Sequence, residues 1–229
     1  RFFLTQFVNL NETGLYAIGY KVAALLTLVV AGFQLAFSPI AYAHYKESDA
    51  PTFFRLVFAV FNILIFGFGM FLTLFSIEIL TFLVPHNYLE GHKIVGLLSL
   101  SIIFNGAIYF VTMGISFAEK TKYVAYSHMA GALINITLNF ALIPQYGMVG
   151  AAFSAMISYV FIAAIGNYWN KKCYPDISYS FYKVIIITIC FLLFDCANIF
   201  IVFNVNIKVF MFIGYIMLLL YIFKNEILT

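Results

Sequence analysis

Residues 56–83 read LVFAVFNILIFGFGMFLTLFSIEILTFL, and twenty-two residues pass before the first ionisable side chain, Glu78. As a helix this run would be about 42 Å long, more than the ~30 Å hydrocarbon core of a bilayer. Lipid cannot satisfy backbone N–H and C=O groups, so an apolar run of this length reads as a spanning helix. The rest of the chain is similar: 64% of its 229 residues are hydrophobic and 9% are charged. A soluble domain carries roughly 25% charged residues. So few charges cannot coat a water-exposed surface, which excludes an ordinary soluble domain.

Six further runs qualify as spans: residues 15–39, 94–117, 123–143, 148–168, 184–203 and 209–223. The expected fold is all-α, a polytopic transmembrane bundle of about seven helices. The segments between them are short and polar or turn-forming. Residues 44–52 contain Pro51, residues 144–147 read Pro-Gln-Tyr-Gly, and residues 169–180 contain Pro175. None is long enough to hold a domain. The chain divides into residues 1–14, a five-helix unit over 15–168, and a loop with two terminal helices over 169–229. It opens on Arg1 rather than Met, and the expectation is a C-terminal portion of a longer protein.

Basic residues set the orientation of a membrane bundle. With seven spans, the N-terminal side receives Arg1, Lys21, Lys93 and Lys208. The other side receives Lys46, Arg55, Lys120, Lys122, Lys171, Lys172, Lys183 and Lys224. The second side is therefore expected to be cytoplasmic, together with the C-terminus. These cations are scattered and form no stripe, so nucleic acid is not an expected partner. Tyrosines and the single Trp169 near span ends read as an interfacial belt. Cys173, Cys190 and Cys196 lack metal-ligand spacing and read as packing residues.

Polar groups inside spans mark the faces that look inward. His128, Asn135 and Asn139 share one helical face by their spacing, as do Ser101, Asn105, Tyr109 and Thr112, and Asn62, Gly69 and Thr73. Three such stripes point to a shared wet interior, or to interhelical hydrogen bonds that hold the bundle together. Gly147, Gly150, Ala151, Ser154 and Ser158 read as a close-packing face. Asp195 lies mid-span, where an aspartate costs roughly 2.5–3.5 kcal/mol, and needs a partner, a cavity or a proton. Lys21, in the first turns of its span, either snorkels to the interface or presents a cation to an anionic substrate. Arg1 has the same two readings. No catalytic constellation, metal site or cofactor motif is present, which favours a transporter over an enzyme.

Residues 135–159 read NITLNFALIPQYGMVGAAFSAMISY. Asn135, Asn139, Leu142-Ile143-Pro144, Tyr146-Gly147 and Gly150-Ala151-Ala152 resemble a pattern in the second lobe of the polysaccharide-biosynthesis flippases. These belong to the multidrug/oligosaccharidyl-lipid/polysaccharide (MOP) exporter superfamily. Arg1-Phe2-Phe3-Leu4, Gly14-Leu15-Tyr16, Tyr20-Lys21-Val22-Ala23 and Phe37-Ser38-Pro39 with Tyr42 are similar to the end of that family's seventh helix and to its eighth. The likeness covers residues 1–170; the last two spans agree in hydropathy alone.

The resemblance implies two six-helix lobes around a central cavity that opens to alternate membrane faces, followed by two extra helices. This chain would supply the second lobe, and an N-terminal lobe of the same chain would be its partner. It further implies transport of polyprenyl-pyrophosphate-linked oligosaccharide across a bacterial inner membrane, for O-antigen, capsule or exopolysaccharide assembly. Membrane lipids and a polysaccharide polymerase would be its other partners. Substrate-binding candidates are Lys21 and Arg1 for the pyrophosphate, with Asn105, His128, Asn135 and Asn139 lining the cavity. A drug/cation antiporter or a peptidoglycan-precursor flippase of the same superfamily is the nearest alternative. A membrane-embedded polymerase or acyltransferase is the alternative from another class.

Overall fold

The computed structural model describes every residue except Arg1, Ser178, Val202 and Thr229, together with the side chain of Phe2. Every regular element among the described residues is helical. In chain order they form α1 (Phe2–Phe7), α2 (Leu10–Ala23), α3 (Leu25–His44), α4 (Ala50–Leu74) and α5 (Ser76–Leu83). A 3-10 segment (His86–Ile94) leads into α6 (Val95–Phe117). Then come α7 (Lys122–Cys173), α8 (Phe181–Phe200), α9 (Val205–Ile222) and α10 (Lys224–Leu228). Six helical stretches among the described residues are long and apolar enough to cross a membrane, which makes this a multi-pass membrane protein.

Two expected spans are each broken in two. The first breaks at Ala24, whose N–H donates to the carbonyls of both Tyr20 and Val22 and so tightens the turn. The second breaks at Phe75, whose N–H likewise faces the carbonyls of Phe71 and Thr73. Conversely, Pro39 does not end its helix; α3 continues through it to His44.

α7 spans 52 residues but is not one rod. Gly147 adopts φ 52°, ψ −130°, a conformation that costs glycine little and other residues much. The chain reverses there. Gly131 of the first half lies directly against Ile162 of the second, and Tyr123 stacks on Trp169 at 4.1 Å. A Cβ at Gly150 would fall 2.5 Å from the Leu142 carbonyl. Gly150, Ala151, Ser154 and Ser158 are buried, so the small-residue stripe lets the two halves approach closely.

α6 is the most buried of the candidate spans, whereas α3 and α9 lie at the periphery. α7 packs against α6 more extensively than any other pair of elements pack together. The core between α3, α4 and α6 is a cluster of phenylalanines: Phe33 meets Phe61 at 4.8 Å, and Phe110 meets Phe58 at 5.3 Å. Such edge-to-face and tilted pairs fill space densely in a membrane interior.

Contacts define two ends of the bundle. At one, Glu12 meets Met148, the backbones of Gly19 and Gly91 touch, and Lys208 pairs with Glu78 at 2.7 Å. At the other, the Tyr174 hydroxyl donates to the Tyr45 carbonyl at 3.1 Å, Tyr45 stacks on Phe117, and Lys183 pairs with Glu226 at 2.5 Å. Lys46, Arg55, Lys120, Lys122, Lys171, Lys172, Lys183 and Lys224 belong to this second, basic end, whereas Lys93 and Lys208 belong to the first.

Candidate functional site

The two halves of α7 leave a cavity of about 370 Å³ between them. His128 and Asn135 line it from the first half, Ser158 and Tyr159 from the second, with Gly131 and Ala132 as its narrow wall. His128 is exposed and Asn135 half-buried. Asn139 sits one turn further on, buried, and donates from Nδ2 to the Asn135 side-chain Oδ1 at 2.9 Å. That bond holds the Asn135 amide, and Asn135 lines the cavity. The structure therefore gathers three of the expected site residues on one face. It adds Tyr159, whose hydroxyl could serve a polar solute. The Ser158 hydroxyl is engaged with the Ser154 carbonyl at 2.6 Å.

Asn105 stands elsewhere. It is exposed at the middle of α6, between the buried Phe104 and Gly106. On the same face, Tyr109 shares a 2.6 Å hydrogen bond with Ser38 of α3. Thr112 donates to the Ile108 carbonyl at 2.8 Å. The polar face of α6 is thus closed by α3 at Tyr109 and open at Asn105. The third expected stripe is different. Asn62 and Thr73 are fully buried, and their side chains donate to the carbonyls of Phe58 and Gly69 in their own helix. A Cβ at Gly69 would meet Ile103 and Phe191. This stripe faces packed core and not a wet interior.

Lys21 is exposed in the last turn of α2, over a cavity of about 240 Å³ lined by Ile18, Val22, Leu25, Leu80, Leu83 and Val84. That lining is apolar and does not include the polar residues of the α7 hairpin. Arg1 lies outside the described residues.

Two acidic residues have roles that spacing alone does not reveal. The Glu12 carboxylate accepts the Met148 N–H at 2.9 Å, across 136 residues of sequence. It caps the helix that restarts after Gly147, where backbone donors would otherwise be orphaned. Asn9 in turn caps α2 by accepting the Glu12 N–H at 2.8 Å. Asp195 is buried, and its carboxylate lies against Gly96 so closely that a Cβ there would overlap it.

At the basic end, burial is the main influence on Tyr174, with Asp176 and Tyr45 adding to it; all push its phenol up, so it remains a donor. Burial likewise pushes the Tyr179 phenol up. Among the described residues no group of three His, Cys, Asp or Glu could hold a metal ion. Comparison with protein families, curated proteins and solved structures finds no match.

Proposed function

We propose that this chain is the second lobe of a membrane transporter that flips polyprenyl-pyrophosphate-linked oligosaccharide across the bacterial cytoplasmic membrane by alternating access. The observation that carries the reading is Asn105. It is exposed at mid-span on the most buried helix of the bundle. An amide facing hydrocarbon is costly, so such a residue belongs over a hydrated path or a partner surface. His128 and Asn135, in their cavity, add polar groups at membrane depth. The sequence resemblance of residues 135–159 supplies the substrate class.

On this reading α7 counts as two spans. Seven crossings then run through α2–α3, α4–α5, α6, the two halves of α7, α8 and α9. The basic end is cytoplasmic by the positive-inside rule, as is the C-terminus. A facing N-terminal lobe covers Asn105 across the cavity, and Lys21 meets the pyrophosphate as it approaches the opposite end.

The test is deletion of the gene in its native host, followed by measurement of surface polysaccharide and of lipid-linked repeat units in the inner leaflet. Loss of polymer with inward accumulation of the intermediate is the expected result. Unchanged polysaccharide with altered drug or cation sensitivity would replace this reading with the antiporter.

A further inference from the structure

A cavity of about 600 Å³ at the basic end lies between the starts of α4 and α8, the end of α7, and α10. Arg55 and Lys171 line it, with Thr52, Ser180, Tyr182 and Glu226. Glu226 is already committed: both its oxygens receive the Lys183 ammonium, at 2.5 and 2.6 Å. Arg55 and Lys171 are exposed, and neither has an ion-pair partner among the described residues. The cavity thus carries two uncompensated positive charges and several hydroxyls. This is the lining that a phosphate group requires.

The cavity also opens onto an apolar track. Tyr182 forms part of its wall and begins a row down the outer face of α8: Ile185, Ile186, Ile189 and Leu193, each between 46% and 67% exposed. Their spacing of three and four residues keeps them on one side of the helix. A free phosphate would use the cavity and ignore the row. A lipid uses both, with its head group on the two cations and its acyl chains along α8.

The wall of the cavity is fixed in place. Tyr179 buries its ring against Phe58 at 4.7 Å and so anchors the loop after α7 to the core.

We propose that this cavity is a binding site for the head group of an anionic phospholipid, seated between Arg55 and Lys171 with its chains on α8. The site depends on membrane embedding and is independent of the transported substrate. The preference for anionic over zwitterionic lipid comes from two basic side chains near the bilayer surface. Each contributes about fivefold, so together they give about 25-fold.

The experiment is native mass spectrometry of the full chain released from bilayers of equal phosphatidylglycerol and phosphatidylcholine. Wild type is expected to retain phosphatidylglycerol selectively. The double variant Arg55→Gln/Lys171→Gln should lose that selectivity, and Arg55→Lys/Lys171→Arg should keep most of it. The control Lys120→Gln/Lys122→Gln, at the same end but away from the cavity, should bind as wild type does. Equal losses in both Gln variants would mean diffuse surface charge and would overturn the site. So would wild type without selectivity. Displacement of the lipid by millimolar inorganic phosphate would show a soluble-anion site and overturn the lipid assignment. Unchanged circular dichroism of the exposed-site variants confirms that folding is not the cause.

Discussion

Replacing Gly19 by alanine should destabilise the bundle, and the size of the effect follows from its surroundings. A Cβ at this position would lie 2.5 Å from the Gly91 carbonyl oxygen and 2.7 Å from the Ile94 Cγ1. The first neighbour is backbone and the second a buried core side chain, so neither can swing aside. The contact is reciprocal: a Cβ at Gly91 would lie 2.9 Å from the Leu15 carbonyl. Restoring ordinary contact requires α2 and the 3-10 segment to part by about 0.7–1 Å, a gap that forfeits a quarter to a half of each dispersion contact across it. Overpacking of this kind costs about 1–3 kcal/mol, and rigid neighbours put Gly19 at the upper end. Alanine returns about 0.5–1 kcal/mol through better helix propensity, leaving a net loss of about 2 kcal/mol. Gly32 is the matched control. Nothing lies within 4 Å of a Cβ there, so Gly32→Ala should gain about 0.5–1 kcal/mol. Unfolding by SDS titration in mixed micelles measures both. Equal shifts in the two variants, or a Gly19→Ala protein as stable as wild type, would refute the claim that close backbone approach holds α2 against the segment before α6.

Glu12→Ala should leave the Met148 N–H without an acceptor and cost about 1–2 kcal/mol, with faster amide exchange confined to the residues just after Gly147; unchanged exchange there would refute the cap. Removing Glu78 alone should cost about 2 kcal/mol. That is below the ~3–5 kcal/mol of a fully buried pair, because Glu78 is 37% exposed while Lys208 is 4% exposed. Glu78→Leu with Lys208→Met should recover most of that loss in the same titration. In a background without Cys173, Cys190 and Cys196, cysteines at 128 and 135 should react with a water-soluble thiol reagent, while one at buried position 139 should react at least tenfold more slowly. No reaction at 128 and 135 would place the hairpin cavity in lipid. Tyr179→Phe removes a buried hydroxyl that has no partner among the described residues, and should raise stability by about 1 kcal/mol.

The membrane class was legible because hydropathy is set residue by residue, and the reversal at Gly147 because Pro and Gly punctuate it. The breaks at Ala24 and Phe75 were not legible, since each sits among good apolar helix formers and follows from packing. The polar stripes show the limit of spacing arguments. Asn62, Asn105 and Asn135 all mark one face of their helices, but only the neighbouring helices decide that the first is sealed in core and the others are open. Lys21 is legible as a cation near a span end; half of its apolar surroundings, Leu80, Leu83 and Val84, come from far along the chain. Glu12 reads as an ordinary residue of a helix's first turn because its partner is 136 residues away.

That separation bears on how the protein is made. A ribosome adding about 5–20 residues per second needs about 7–27 s to travel from Glu12 to Met148. Through that interval α2 is synthesised but lacks the clamp at its N-terminal end. The hairpin of α7 must cross, turn at Gly147 and present Met148 before the carboxylate closes on it. The packing of α2 is therefore completed late, and the insertion machinery has to keep this helix from settling against the wrong neighbour until the hairpin arrives.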